Sequence, residues 1–315
     1  TLPILNWNST GITAAGVTGS TGTAANELSL PFGLFLDSSN SLYIADYGNN
    51  RVQKWLTGAS SGSTVAGQVT GAGGSGASDL SGSAGVAVDS SGNIYVADTL
   101  NHRVQRWASG ASSGTTVAGT GVAGAANNEL NFPYSVAYDS SSGTLYVSDF
   151  YNHRVMRYLS GASSGTVIAG GNGPGTNSTQ LFYPVAIYFE ASSNSLVIAN
   201  YMANNIVRWV IGSSSWILVA GDISGASGST STLLNMPVSL TVDYMSNVYV
   251  ADTGNSRVQL FLAGQLNGTT VAGVTGVSGT TSSLLGIPYG VALDSQLNLY
   301  VADTTNYRVQ TFLRH

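Results

Sequence analysis

Short apolar runs of four or five residues, each bounded by Gly, Ser, Asn or Asp, recur along the whole chain. One stretch shows the order: "GVAVD" (85–89), the turn "SSGN", "IYVAD" (94–98), a short loop, "RVQRW" (103–107), the linker "ASGASSGT" and a brief "TVAG" (116–119). β-Branched and aromatic residues fill the runs and Gly, Ser and Asn fill the joints, as in short strands joined by tight turns. No stretch reads as an amphipathic helix, and no apolar run reaches the ~18 residues of a membrane span.

The pattern is a repeat. "LYIADYGNNRVQKW" starts at 42, "IYVADTLNHRVQRW" at 94, "LYVSDFYNHRVMRY" at 145, "LVIANYMANNIVRW" at 196, "VYVADTGNSRVQLF" at 248 and "LYVADTTNYRVQTF" at 299, spaced by 52, 51, 51, 52 and 51 residues. Four antiparallel strands about every 51 residues, six times over, predict an all-β chain folded as a six-bladed β-propeller. The shared "Y-V-A-D-x-x-N-x-R-V-Q" core resembles the NHL repeat over nearly the whole chain, and that resemblance implies a six-bladed disc around a central channel.

Residues 1–315 are expected to form one such domain, with blades near 31–67, 82–119, 133–170, 184–221, 237–273 and 288–315. The last unit stops at "RVQTFLRH" without a "TVAG" strand, while an orphan "GITAAG" (11–16) precedes the first. This N-terminal strand, within a closing segment 1–16, is predicted to complete the last blade and remove a bare edge. A strand supplied from the far end of the chain can also be donated to a neighbouring molecule.

Charge follows the repeat. Asp46, Asp98, Asp149, Asp252 and Asp303 each stand five residues before Arg51, Arg103, Arg154, Arg257 and Arg308. That spacing lets carboxylate and guanidinium meet across a hairpin mouth as a bidentate, charge-assisted pair. The fourth unit has Asn200 and Asn205 at these two places, so both partners change together, as expected of a structural pair whose halves are costly alone. Asp37, Asp89, Asp139, Glu190, Asp243 and Asp294 end the first strand of each unit, where an acid can accept hydrogen bonds from turn amides. Lys54, Arg106, Arg157 and Arg208 share one place on the third strand and read as a solvated strand face.

Composition narrows the function. Only 8% of the 315 residues are charged, against roughly a quarter in ordinary soluble domains, and the net charge is −5. Hydroxyls and amides must carry solubility, which points to a secreted or cell-surface protein and leaves little repulsion against self-association. The chain opens on Thr1, so a targeting segment would lie outside it. Asn8, Asn177 and Asn267 head glycosylation sequons, a number that chance supplies in a chain this rich in Asn, Ser and Thr. Half the bases already face an Asp, which argues against nucleic acid as a partner. No serine-hydrolase or phosphate-loop motif occurs, and three histidines without cysteine make a poor zinc set. No cofactor, metal or catalytic residue is expected. Some NHL propellers are metal-dependent amidating lyases, but their inward-facing histidines have no match here: His102 and His153 fall in hairpin loops and His315 is terminal. Asn50, Asn204, Ser256 and Tyr307 fill the place of His102 and His153 in other units, so those histidines read as exposed loop residues or as part of a ligand-binding rim.

The sharper clue is aromatic. The loops from second to third strand and from blade to blade open on one face, which should carry Tyr47, Phe150, Tyr151, Tyr201 and Met202, with Phe32, Tyr134 and Tyr289 nearer the axis. "GASSG" repeats on the opposite face, at 58–62, 110–114 and 161–165. Variation with aromatic rings on one face suggests recognition of a glycan or a protein loop there. The sequence therefore reads as a non-enzymatic extracellular binding module. The alternative is a structural subunit of an extracellular fibre or matrix, and the third reading a metal-dependent lyase or hydrolase with backbone carbonyls holding the ion.

Overall fold

The computed structural model describes residues 5–315; residues 1–4 of the expected closing segment lie outside the described residues. Six four-stranded antiparallel sheets are present. Blade 2 shows the plan: Ser83–Val88 innermost, then Ile94–Asp98, Arg103–Trp107 and, outermost, Gly114–Gly119. Blade 6 takes its outermost strand from the N-terminal end, where Ile12–Gly16 pairs antiparallel with Arg308–Phe312. The ring thus closes within one chain. Each outermost strand carries a register shift against the third, as between Val104 and Gln105 in blade 2, and such bulges twist an exposed edge away from further pairing.

The apolar residues pack between neighbouring blades. Ala87, Tyr95, Val104 and Ala118 of blade 2 form one cluster with Leu130, Val136, Val147 and Met156 of the following loop and blade 3. A leucine from each inter-blade loop (Leu28, Leu80, Leu130, Leu181, Leu234 and Leu285) is fully buried, which contributes roughly 1.5–3 kcal/mol per side chain.

The Asp–Arg pairs are the hubs that hold these loops. Arg51 donates from Nε alone to Asp46 Oδ2 at 2.8 Å, and the same single contact recurs at 2.7–2.8 Å in blades 2, 3, 5 and 6. The bidentate geometry expected from the spacing is not what forms, because the two terminal nitrogens reach other acceptors. Nη1 of Arg51 donates to the carbonyls of Thr23 and Val69, and Nη2 to those of Ala24 and Glu27. Asp46 in turn accepts the Ser29 amide on Oδ1 and the Asn49 side chain on Oδ2. Burial pushes the carboxyl pKa of Asp46, Asp98, Asp149 and Asp252 up, against these donors and the guanidinium.

Blade 4 has no charge at this place, and Asn200 Nδ2 and Asn205 Oδ1 are left buried without a partner. Asn200 accepts the Phe182 amide, Asn205 donates to the Asp222 carbonyl, and both side chains are fully buried. The carbonyl of Gln180, at the place where Glu129 accepts Arg154 Nη2 in blade 3, receives the indole N–H of Trp216 instead. Trp216 stands where the other loops have Gly62, Gly114, Gly165 and Gly268, each of whose amides likewise donates into the loop before its blade. Trp216→Phe keeps the ring and removes the donor. An unpaired buried carbonyl should then lower unfolding free energy by about 1–3 kcal/mol, read as a lower urea midpoint at unchanged slope.

Candidate ligand-recognition face

The loop between second and third strands is one 3-10 turn in every blade, ended by a residue in the left-handed region: Asn50, His102, His153, Asn204, Ser256 and Tyr307, with φ between 49° and 56°. The first turn residue decides the character of the face. In blades 2, 5 and 6 it is Thr99, Thr253 or Thr304, and each hydroxyl donates to a carbonyl of the next blade, Pro133, Pro288 or Pro31, at 2.6–2.7 Å. In blades 1, 3 and 4 it is Tyr47, Phe150 or Tyr201. Three inter-blade hydrogen bonds are thereby given up for three rings.

Those rings belong to a nearly continuous aromatic layer. Phe32 stacks on Tyr289 with centroids 3.9 Å apart and on Tyr47 at 4.2 Å, bridging blades 6 and 1. Across the axis Phe150 packs against Tyr134 at 4.8 Å, Tyr183 at 4.6 Å, Tyr151 at 5.0 Å and Tyr201 at 6.4 Å. Burial pushes the phenol pKa of Tyr134 up to about 12 and that of Tyr289 further, and the neighbouring phenols add to both shifts. The Tyr134 and Tyr289 hydroxyls therefore stay protonated as neutral donors. Tyr289, Phe32 and Tyr134 form the half-buried floor, whereas Tyr151 and Met202 are 48% and 44% exposed at the rim. Tyr201 donates to Met236 Sδ at 3.3 Å, and Tyr307 sits half-buried on the rim of blade 6.

Beneath the floor the innermost strands make their closest approach. A Cβ at Gly33 or Gly85 would lie 2.5 Å from the carbonyl of Ala84 or Tyr134 in the next blade, so only glycine fits there. Ser135 and Ser239 occupy the same level in blades 3 and 5, and their hydroxyls accept the Ile187 and Val291 amides of the next blade. Below this constriction the channel widens to a cavity of about 520 Å³ reaching Asp243, Tyr244 and Asp294 at the other face. No group of three or more His, Asp or Glu side chains able to hold a metal occurs among the described residues.

The histidines are not free loop residues, because one nitrogen of each ring holds a structural hydrogen bond. His102 Nδ1 accepts the Phe132 amide and His153 Nδ1 the Tyr183 amide, each at 3.2 Å, while Asn50 and Asn204 do the same for Gly82 and Met236 through Oδ1. In blades 1 to 4 the residue at this positive-φ place supplies an acceptor, which His and Asn both provide, whereas Ser256 in blade 5 donates to the Gly286 carbonyl. Sequence reasoning missed the aromatic residues these bonds position, Phe132 and Tyr183, both at positive φ, and Phe182, whose amide donates to Asn200. Their signal was an aromatic residue before the first-strand proline, where blade 1 has Leu30.

Burial pushes both imidazoles below the ordinary 6.5; for His102 the charges of Asp149 and Asp98 oppose this only in part. A lowered folded pKa means the unfolded chain binds the proton first. The stability from the neutral rings is complete above about pH 6.5 and is lost as pH falls through the lowered folded value. Tm should therefore fall between pH 7 and pH 5 more steeply in the wild type than in H102N/H153N, whose amide oxygens accept the same bonds without titrating. Parallel slopes would show that the rings do not carry this dependence.

The remaining charges are mostly engaged. Asp37 accepts the Ser39 and Ser41 amides and pairs with Lys54 at 3.6 Å, and Glu190 pairs with Arg208. Lys54 also lies 4.8 Å above the Tyr43 ring. The basic stripe is therefore partly neutralised rather than a plain solvated face. Asn8, Asn177 and Asn267 are all exposed.

Six closed blades with one aromatic face define the class: a six-bladed β-propeller with its variable residues on one side. Residues 84–107, 130–158 and 285–312 match the family model for the NHL repeat, so three segments of this six-bladed propeller are NHL repeats. The chain is 29% identical over 135 residues to the human NHL repeat-containing protein 3, a match covering 41% of this chain; the chain spans about two fifths (38%) of that relative's length. An auxiliary nutrient binding protein from Bacteroides thetaiotaomicron superposes with a TM-score of 0.71 at 16% identity, covering 96% of this chain and 76% of that one. A gluconolactonase from Xanthomonas campestris superposes with a TM-score of 0.65 at 14% identity, covering 97% of both chains. At these identities the likeness is one of fold. No helix among the described residues is long and apolar enough to cross a membrane.

Proposed function

We propose that the protein is a non-enzymatic extracellular binding module whose aromatic face recognises a neutral glycan. The observation that carries this reading is the exchange at the first turn residue, where Tyr47, Phe150 and Tyr201 stand in place of the threonine that clips blades 2, 5 and 6 to their neighbours. A residue that gives up an inter-blade hydrogen bond is better accounted for by contact with a partner than by packing. Aromatic faces beside neutral phenol donors suit sugar rings, which present C–H faces and hydroxyls. The Asp–Arg hubs beside the face are buried and internally paired, which favours an uncharged ligand. A protein loop is the competing ligand.

The nutrient binding neighbour supports a binding role on this fold, and the gluconolactonase neighbour shows that the fold also hosts an enzyme. Against an enzymatic reading, acids in the hairpins, first-strand turns and inter-blade loops alike accept structural hydrogen bonds, as Asp46, Asp37 and Glu129 do. The exposed sequons and the hydroxyl-rich surface favour a secreted or cell-surface location. Closure within one chain leaves an assembly role without an open blade to accept a neighbour's strand.

The test is a glycan array and a parallel panel of immobilised extracellular proteins, probed with wild type and the Tyr47→Thr/Phe150→Thr/Tyr201→Thr variant. A glycan signal lost in the variant is expected. A signal on proteins alone would move the reading to the protein loop, and array binding that survives the variant would end it.

A further inference from the structure

A cleft of about 740 Å³ runs between blades 2 and 3, with Tyr95, Arg106, Tyr138, Tyr158 and the edge strand Thr116–Gly119 among its walls. It opens past Gly143 and Ser160–Ser163, on the side away from the aromatic layer. The corresponding cleft between blades 1 and 2 measures about 420 Å³. One of the wall positions that differ is large: the smaller cleft has Trp107, and its counterpart one blade on is Tyr158, where blades 1 and 4 also have a tryptophan, Trp55 and Trp209.

Two groups in the larger cleft stand without a partner. The hydroxyl of Tyr158 is buried without a hydrogen-bond partner. Such a group costs free energy unless something bonds to it. Arg106 has no carboxylate within 4.0 Å among the described residues, whereas Lys54 and Arg208 at the same strand position pair with Asp37 and Glu190. The acid that would serve Arg106 is already taken: Asp89 accepts the Ser91 and Asn93 amides on Oδ1, and the Asn93 side chain and Tyr95 hydroxyl on Oδ2. Beside the guanidinium, Tyr95 stands opposite Arg106 across the strand pair and stacks on Tyr138 at 4.7 Å and 21°.

We propose that this cleft is a second binding site, for a six-membered ring that carries a carboxylate. Arg106 takes the carboxylate, since a planar guanidinium matches it with two parallel donors. The Tyr95–Tyr138 stack supplies the flat surface for the ring. The Tyr158 hydroxyl bonds an oxygen on the far side of the ring. The site stands apart from the aromatic face and does not depend on it. Two sources present this chemistry, a sugar acid and an aromatic acid.

The experiment titrates the protein with galacturonate, 4-hydroxybenzoate and, as a neutral ring, glucose, followed by calorimetry. At least one acid is expected to bind and glucose is not. Galacturonate alone points to a sugar acid, hydroxybenzoate alone to an aromatic acid, and either result supports the site. R106Q should raise Kd at least tenfold. Tyr158→Trp copies blades 1, 2 and 4, so it should narrow the cleft, remove the buried hydroxyl and raise Kd at least tenfold without lowering Tm, which separates loss of the site from loss of the fold. The Tyr47→Thr/Phe150→Thr/Tyr201→Thr variant should bind the acid as wild type does. The proposal is overturned if neither acid binds, if glucose binds equally well, if binding survives both cleft variants, or if the aromatic-face variant abolishes it.

Discussion

R103Q will lower unfolding free energy by about 3–5 kcal/mol, the cost of leaving a buried charge without its counter-ion. Asp98 is fully buried, with Oδ1 accepting the Ser81 amide at 2.7 Å and Oδ2 accepting Arg103 Nε at 2.7 Å and the Asn101 side chain at 2.9 Å. Removing the guanidinium strands that carboxylate and also frees the carbonyls of Gly76 and Asp79, which Arg103 Nη2 holds at 2.9 and 3.3 Å. D98N/R103N, which copies the residues of blade 4, leaves no buried charge and should cost only about 1–3 kcal/mol for the carbonyls left short of donors. Urea unfolding of the wild type, R103Q and D98N/R103N checks the order. A double variant no more stable than R103Q would mean that the stranded charge is not the dominant cost, and that the lost ties to the inter-blade loop are.

The Asp–Arg pairing was legible because both residues lie in one hairpin, five positions apart, and because blade 4 exchanges them together. The rest of each hub was not. The carbonyls that Arg51 reaches belong to Thr23, Ala24, Glu27 and Val69, in loops whose Gly, Ala and Asn carry no pattern that marks one carbonyl as an acceptor. This is also why a bidentate pair was the natural expectation: a hairpin read alone offers the guanidinium nothing else to bond. Trp216 was invisible for a related reason. It takes over a carbonyl that an arginine holds elsewhere, from a different strand junction, so no position in the repeat links the two. The hydrogen bonds of the histidines were hidden because two residue types share the task, Nδ1 of His and Oδ1 of Asn both accepting an amide hydrogen at a positive φ. The strands, their order and the closure by residues 12–16 depended only on periodicity and on the strand missing from the last unit. Of the face, Tyr47, Phe150 and Tyr201 could be found from the repeat, while Phe132 and Tyr183 sit in the loops that feed each first strand.

Replacing Tyr47, Phe150 or Tyr201 singly should weaken glycan binding by about 2 kcal/mol, or roughly 30-fold, if each ring is a central contact. Replacement by Thr and by Ala should be equivalent in that respect, because neither offers a ring. The two should differ in stability. Thr at these places has the geometry of Thr99, Thr253 and Thr304, whose hydroxyls bond the Pro133, Pro288 and Pro31 carbonyls of the following blade. The corresponding carbonyls after blades 1, 3 and 4 belong to Ser83, Pro184 and Pro237. Each Thr variant should therefore be about 1 kcal/mol more stable than its Ala counterpart, the net worth of one such hydrogen bond. Both will lose the packing of the ring they replace, which for Tyr47 includes the stack on Phe32. Equal binding loss with unequal stability separates what the aromatic residues do for a ligand from what the position can do for the fold. Retained binding in the Thr variants would assign the rings to packing between blades. Equal stability of the Thr and Ala variants would mean that the clip of blades 2, 5 and 6 cannot form here, and with it would go the argument that aromatic residues displaced a hydrogen bond.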